Sequence, residues 1–154
     1  MRRQRSDEGS IAPAVPIFAL VLLLLAGLVV DGARQLTARA RAVAYAEEAA
    51  RAGAAAIDLD APELELLPEA TVRERVDGYC RDAAAAGAPI VDPGACFRGT
   101  RVVGPGDDRR LVVVAHVDVV QQASLLGLVG VRELRASGDG SARPFEGIDE
   151  EDAR

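Results

Sequence analysis

The sequence predicts an α+β protein in which a long amino-terminal transmembrane helix continues into a small extracytoplasmic domain built on an antiparallel sheet. Three observations carry this expectation. From Gly9 to Val30 no side chain is ionisable. Strong helix formers then continue to about Ile57. Beyond them lie β-branched, alternating stretches divided by Gly- and Pro-rich turns, together with the two cysteines of the chain, Cys80 and Cys96.

The apolar run is long enough to span a bilayer. A hydrocarbon core about 30 Å thick needs roughly 20 apolar residues at a rise of about 1.5 Å each. A buried helix of a soluble domain is the plainer alternative, but a small domain seldom hides a helix that is apolar all round. A cleaved secretory signal is the stronger rival. Its apolar core runs only about 7–15 residues and leads to a small-residue cleavage site, whereas here the run continues through Leu22–Leu25 to Val30. Pro13 and Pro16 fall in the first turns, where a missing amide donor costs little.

Charge and cysteine usage place the rest of the chain. Residues 1–57 carry seven Arg against five acids, and residues 58–154 carry eleven Arg against nineteen acids. An acidic outer part repels phosphates and argues against nucleic acid as a partner. All 18 basic residues are Arg, which together with abundant Ala and Gly reads as the codon bias of a high-GC genome. Arg2, Arg3 and Arg5 before the span nearly balance Arg34, Arg39 and Arg41 after it, so charge alone leaves the orientation a tie. The short amino-terminal tail and the cysteines decide for an outside domain. Cys80 and Cys96 form no C-x-x-C pair, and a disulfide between them suits an oxidising compartment.

The expected organisation is a cytoplasmic tail over 1–9, a transmembrane helix over 10–30 and its extracytoplasmic continuation over 31–57. A small α+β domain follows over 58–136, then a disordered acidic tail over 137–154. One helix from about Pro13 to about Ile57 has Gly32 as a soft point. Leu36, Ala40, Val43 and Ala44 lie on one side of its outer half, a face of little bulk that suits close approach by another helix or, equally, simple solvation among Arg and Glu, and Glu47 precedes Arg51 by four residues, the favourable order for an ion pair. The acidic stretch DLDAPELELLPEA reads as a connector. A second helix spans about Pro68 to Ala86, with Glu69 at its positive end, Gly87 as its stop and Val72, Val76, Tyr79, Cys80 and Ala83 as its inner stripe.

Two strands, CFRGTRVVG and RRLVVVAHVDVV, flank the turn-rich GPGDD. In the second, Leu111, Val113, Ala115, Val117 and Val119 share one face and Arg110, Val112, Val114, His116 and Asp118 the other, and two apolar faces place this strand centrally. QASLLGLVG reads as a short packed helix or turn, and VRELRAS as a last strand.

Chemistry is sparse. His116 and Asp118, two apart on a strand, share a side and could form a base held by a carboxylate, but no serine or cysteine sits in a nucleophile motif. Cys80, Cys96 and His116 lack zinc-ligand spacing, and Gly104-Pro105-Gly106 precedes no helix, which excludes a phosphate loop. Neither a cofactor nor a small-molecule substrate is expected.

The charged tail ending in Gly9, the apolar span and the sequence LAGLVVDGARQLTARARAVAYAEEAARAGAAAI resemble the TadE/TadG-like proteins of tight-adherence (Flp) pilus assembly, as found in high-GC Gram-positive bacteria. The resemblance is most specific over about residues 9–57, and LVVVAHVDVV and LLGLVGVRELRAS are similar to the family's closing segment. It implies a pilin-like fold and a minor pilin-like or pseudopilin-like component whose partners are the bilayer and other assembly subunits. In the TadE kind a prepilin peptidase cuts after a glycine that is followed, five residues on, by glutamate. Gly9 and Ser10 match that processing site, but the fifth residue is Ala14, which favours the uncleaved, TadG-like form. The Asp31-Gly32 pair matches the family's exit from the membrane, a charge and a flexible residue where the helix meets headgroups.

Overall fold

A computed structural model describes residues 14–62, 64–104 and 110–145 of the chain. The tail over 1–9, the processing site at Gly9 and Ser10, the helix start at Pro13 and the last nine residues lie outside the described residues.

Helix α1 runs from Ala14 to Ala54 without interruption, 41 residues and about 60 Å at 1.5 Å per residue. Gly32 does not interrupt it: the helix continues through this position, and a side chain there would meet open space. The helix ends where the Ala55 and Ala56 amides donate to the carbonyls of Arg51 and Gly53. The acidic connector is more ordered than its composition suggests. Strand β1 (Ile57–Asp58) pairs antiparallel with β2 (Glu65–Leu66), and the Leu67 amide donates to the Ala56 carbonyl at 2.8 Å.

Helix α2 (Glu69–Ala85) starts after Pro68 and stops at Gly87, whose φ of 99° is the left-handed conformation glycine adopts most easily. Its amide donates to the Ala84 carbonyl, and that of Ala88 to Ala83. Val72, Val76 and Cys80 of the expected stripe are buried, and Tyr79 and Ala83 are half-buried.

Strands β3 (Phe97–Val103), β4 (Arg110–Gln122) and β5 (Glu133–Ala142) form an antiparallel sheet in the order β3-β4-β5. The doubly apolar β4 is central. Where β3 does not reach, residues 89–91 run beside β4: Val120 donates to the Pro89 carbonyl and Val91 to that of Asp118. One face of the sheet lies on α1, with Val113, Ala115, Val117 and Val119 of β4 buried against Ala42, Ala46, Ala49 and Ala50 of the helix.

Residues 137–142 correct the expectation of a disordered tail from 137. They are the second half of β5, paired to β4 through Ala142↔Val113. Glycine makes this possible. A Cβ at Gly138 would lie 2.3 Å from the Val43 nitrogen, and one at Gly140 would lie 2.2 Å from the Ala46 carbonyl carbon. The strand therefore rests on the helix backbone itself, and Ala42 and Ala46 complete the fit. Gly53 has the same role at the upper end, where a Cβ would come 2.5 Å from Val76 and 2.9 Å from Val113.

Candidate functional site

Helix α1 is the candidate site, and its two halves differ in kind. Over the first half the large side chains, among them Phe18, Leu23, Leu25 and Val29, are exposed, so among the described residues most of this half is an uncovered apolar rod. It is long and apolar enough to cross a bilayer, and it stands near the amino terminus as a single-pass anchor does.

Asp31 is where the two halves meet. It is 1% exposed, and its carboxylate accepts the amides of Ser124 at 2.9 Å, Leu125 at 2.9 Å and Leu126 at 2.6 Å. Those amides open a short 3-10 turn (Leu126–Val129) in the β4–β5 connection. An isolated carboxylate would not be buried at such a place; three donors supply the hydrogen bonds that water would otherwise give and favour the ionised form. Arg34, one turn on, donates to the Ser124 hydroxyl. One turn before, Gly27 lets Leu125 lie on the helix, since a Cβ there would come 2.9 Å from that of Leu125. The sequence shows Asp31 as a charge at a membrane exit. Its role as a clasp for a loop more than ninety residues away depends on the fold, and the one hint is a lone acid at the span's end with an apolar turn later in the chain.

Over the outer half the helix has a covered stripe and an open one. Ala38, Ala42, Ala46, Ala49, Ala50 and Gly53 face the chain's own sheet and α2. Of the expected packing face, Leu36 is 72% exposed, Ala40 and Ala44 are exposed, and Val43 is half-buried. These side chains are not taken up by the domain. Glu47 and Arg51 lie 3.7 Å apart, and Glu48 stands closer to Arg51, at 2.5 Å. Tyr79 of α2 packs towards this helix, and burial, followed by the nearby charge of Glu48, raises its phenol above the ordinary value and keeps it neutral.

Cys80 and Cys96 are bonded, with sulfurs 2.07 Å apart and both residues buried. Bonded to each other, they offer no thiolate to a metal with His116. Asp77, one turn before Cys80 and 6% exposed, accepts the Phe97 amide at 2.9 Å, and the Arg73 guanidinium stacks 4.8 Å from the Phe97 ring. Three contacts thus fasten the start of β3 to α2.

His116 has a neighbour that spacing does not reveal. Its Nδ1 is 2.7 Å from Asp139 on β5, whereas Asp118 stands 3.5 Å from Nε2. Register brings Asp139 opposite His116. Both carboxylates are largely exposed, on the sheet face away from α1, and this is the setting of a solvated polar ladder.

A model of the Tad family, Flp pilus-assembly TadE/G-like, matches residues 9–56. The match covers α1 with its short flanks and leaves α2 and the three-stranded sheet outside it. No curated protein and no solved structure matches the chain.

Proposed function

We propose that this chain is a membrane-anchored, minor pilin-like or pseudopilin-like component of Flp (Tad) pilus assembly or of the related secretion apparatus, with its domain on the outer side of the membrane. The observation that carries the reading is the coincidence of the family match with α1, whose first half leaves its large apolar side chains exposed among the described residues. A helix with a bare apolar half and a small-residue outer face is built to be covered by lipid and by other helices. The role is structural: the chain supplies an anchor and a packing surface, and its partners are the bilayer and other pilin-like or Tad assembly subunits. It takes neither nucleic acid nor a small-molecule substrate.

Two double variants in the native host test this. Ala40→Leu with Ala44→Leu adds bulk to the open stripe, so pili are lost while membrane insertion and the Cys80–Cys96 bond persist. Ala42→Leu with Ala46→Leu overfills the covered stripe, where both residues are 0% exposed, and the domain itself fails. Normal pili from the first variant would show that the open stripe packs against nothing. The competing reading, a membrane-anchored enzyme or ligand-binding domain using His116 and Asp118, predicts loss of function from His116→Ala with Asp118→Ala. Assembly should survive that change.

A further inference from the structure

The β4–β5 connection is the most apolar loop of the domain, and it lies on the membrane-spanning half of α1. From Ala123 to Val131 it reads ASLLGLVGV, with no ionisable residue, between Gln121-Gln122 and Arg132-Glu133. Leu125 and Leu126 line one groove with Leu20, Leu24, Gly27 and Leu28 of α1. Gly27 lies four residues to the bilayer side of Asp31, about 6 Å along the helix axis, and Leu24 about 10 Å. The loop thus descends beside the span to a depth that the acyl chains reach.

Irregular backbone is tolerated at such depth only where its polar groups have partners. Here six of the loop's amides have them. Asp31 accepts three, from Ser124, Leu125 and Leu126. Ala123 donates to the Arg132 carbonyl, Gly130 to Gly127 and Val131 to Leu126. Arg34, on the domain side of Asp31, holds the Ser124 hydroxyl, so its guanidinium stands where headgroups lie, and the Arg132 carbonyl closes the loop by accepting the Ala123 amide.

We propose that the Ser124–Val131 loop is a second membrane-embedded element, immersed among the acyl chains of the outer leaflet beside α1 and seating the domain directly on the bilayer. The occupant of its apolar surface is lipid, because that surface is continuous with the exposed leucines of the span. The inference rests on reading residues 10–30 as a membrane span. Two points of immersion on one body set the height and rotation of α1, and they decide which way Leu36, Ala40 and Ala44 face.

The chain has no tryptophan, so single Trp substitutions report cleanly. Full-length protein with its disulfide intact is placed, at low protein density, in phosphatidylcholine vesicles whose acyl chains are brominated close to the headgroup. The variants are Leu126→Trp and Val131→Trp in the loop, Val29→Trp at the exposed outer end of the span, and Leu59→Trp, 91% exposed in the domain. The expected result is blue-shifted emission and loss of intensity at both loop positions, matching Val29→Trp, with Leu59→Trp unchanged. Should Leu126→Trp fail to retain the Cys80–Cys96 bond, Val131→Trp, at a position 43% exposed, carries the measurement. Unquenched loop variants beside a quenched Val29→Trp overturn the proposal and leave the anchor standing. Loss of quenching at Val29→Trp as well overturns the anchor itself. Loop emission that is blue-shifted yet unquenched, and that depends on protein density, assigns the groove to a partner helix and equally overturns it.

Discussion

A methyl group at Gly138 or Gly140 would occupy space already held by the α1 backbone, at 2.3 Å and 2.2 Å. Neither glycine has a left-handed φ, so what these positions require is absence of volume rather than conformational freedom. Gly138→Ala should therefore push β5 off the helix and cost about 1–3 kcal/mol, the range for overpacking a filled core. For a domain of this size each kcal/mol lowers the melting temperature by about 4–8 °C. Thermal unfolding in detergent micelles, followed by circular dichroism, reads this against Gly94→Ala, where a Cβ meets nothing within 4 Å. Equal melting of the two variants would refute the close approach. Asp31 makes a related point about charge. Its buried carboxylate is tolerable only because three amides converge on it, and these come from residues 124–126, remote in sequence.

Helix α2 is short and polar on its outer side, and what holds it is a set of anchors on one side. Val72 and Val76 pack into the core, Asp77 accepts the Phe97 amide, and Cys80 is tied to Cys96, sixteen residues on. In the chain-entropy account a loop of this length contributes about 3 kcal/mol by restricting the unfolded chain. Cys80→Ala with Cys96→Ala should lower stability by about 2–4 kcal/mol without altering membrane insertion. In intact, unreduced cells neither cysteine of the unaltered protein should react with a maleimide; labelling of both would mean the bond does not form in the native compartment. Helix α2 itself was legible from Pro68, Gly87 and the apolar spacing, because caps and periodicity are local. The extent of β5 was not. SGDGSA carries the composition of a linker, and its place in the sheet is decided by α1, which accepts a strand without side chains.

At the scale of the whole molecule the domain lies alongside the outer half of α1 and does not hang from its end. β5 runs in the same direction as α1, with Gly138 against Ala42–Val43 and Gly140 against Ala46–Glu47, and β4 returns to bring the Ser124–Val131 loop to Asp31. An outer helical half that propensity alone would leave marginal is stabilised by that cover. Among the described residues the inner half is covered only where Leu125 and Leu126 lie on it, and a full apolar span holds a protein in lipid by burial and not by surface charge. The protein should therefore sediment with membranes and resist both high salt and alkaline carbonate, and release by either would remove the anchor from the reading.

Local chemistry alone determined the span, the long helix, α2 and the central position of β4, because hydrocarbon thickness, helix propensity, caps and a period of two are written residue by residue. The pairing of Cys80 with Cys96 was the single option two cysteines allow. Tertiary structure decided which stripe of α1 the domain covers and which it leaves open. The alanines are spread around the helix, and the close approach of Gly138 and Gly140 of β5, together with Gly53 and Asp31 of the helix itself, selects the Ala42–Ala46 side. It also decided that Asp139, and not Asp118, is the nearer carboxylate to His116, and that Asp31 serves a distant loop. Cross-strand register and helix-to-loop contact join residues whose separation along the chain carries no periodic signal, so only the folded arrangement brings them together.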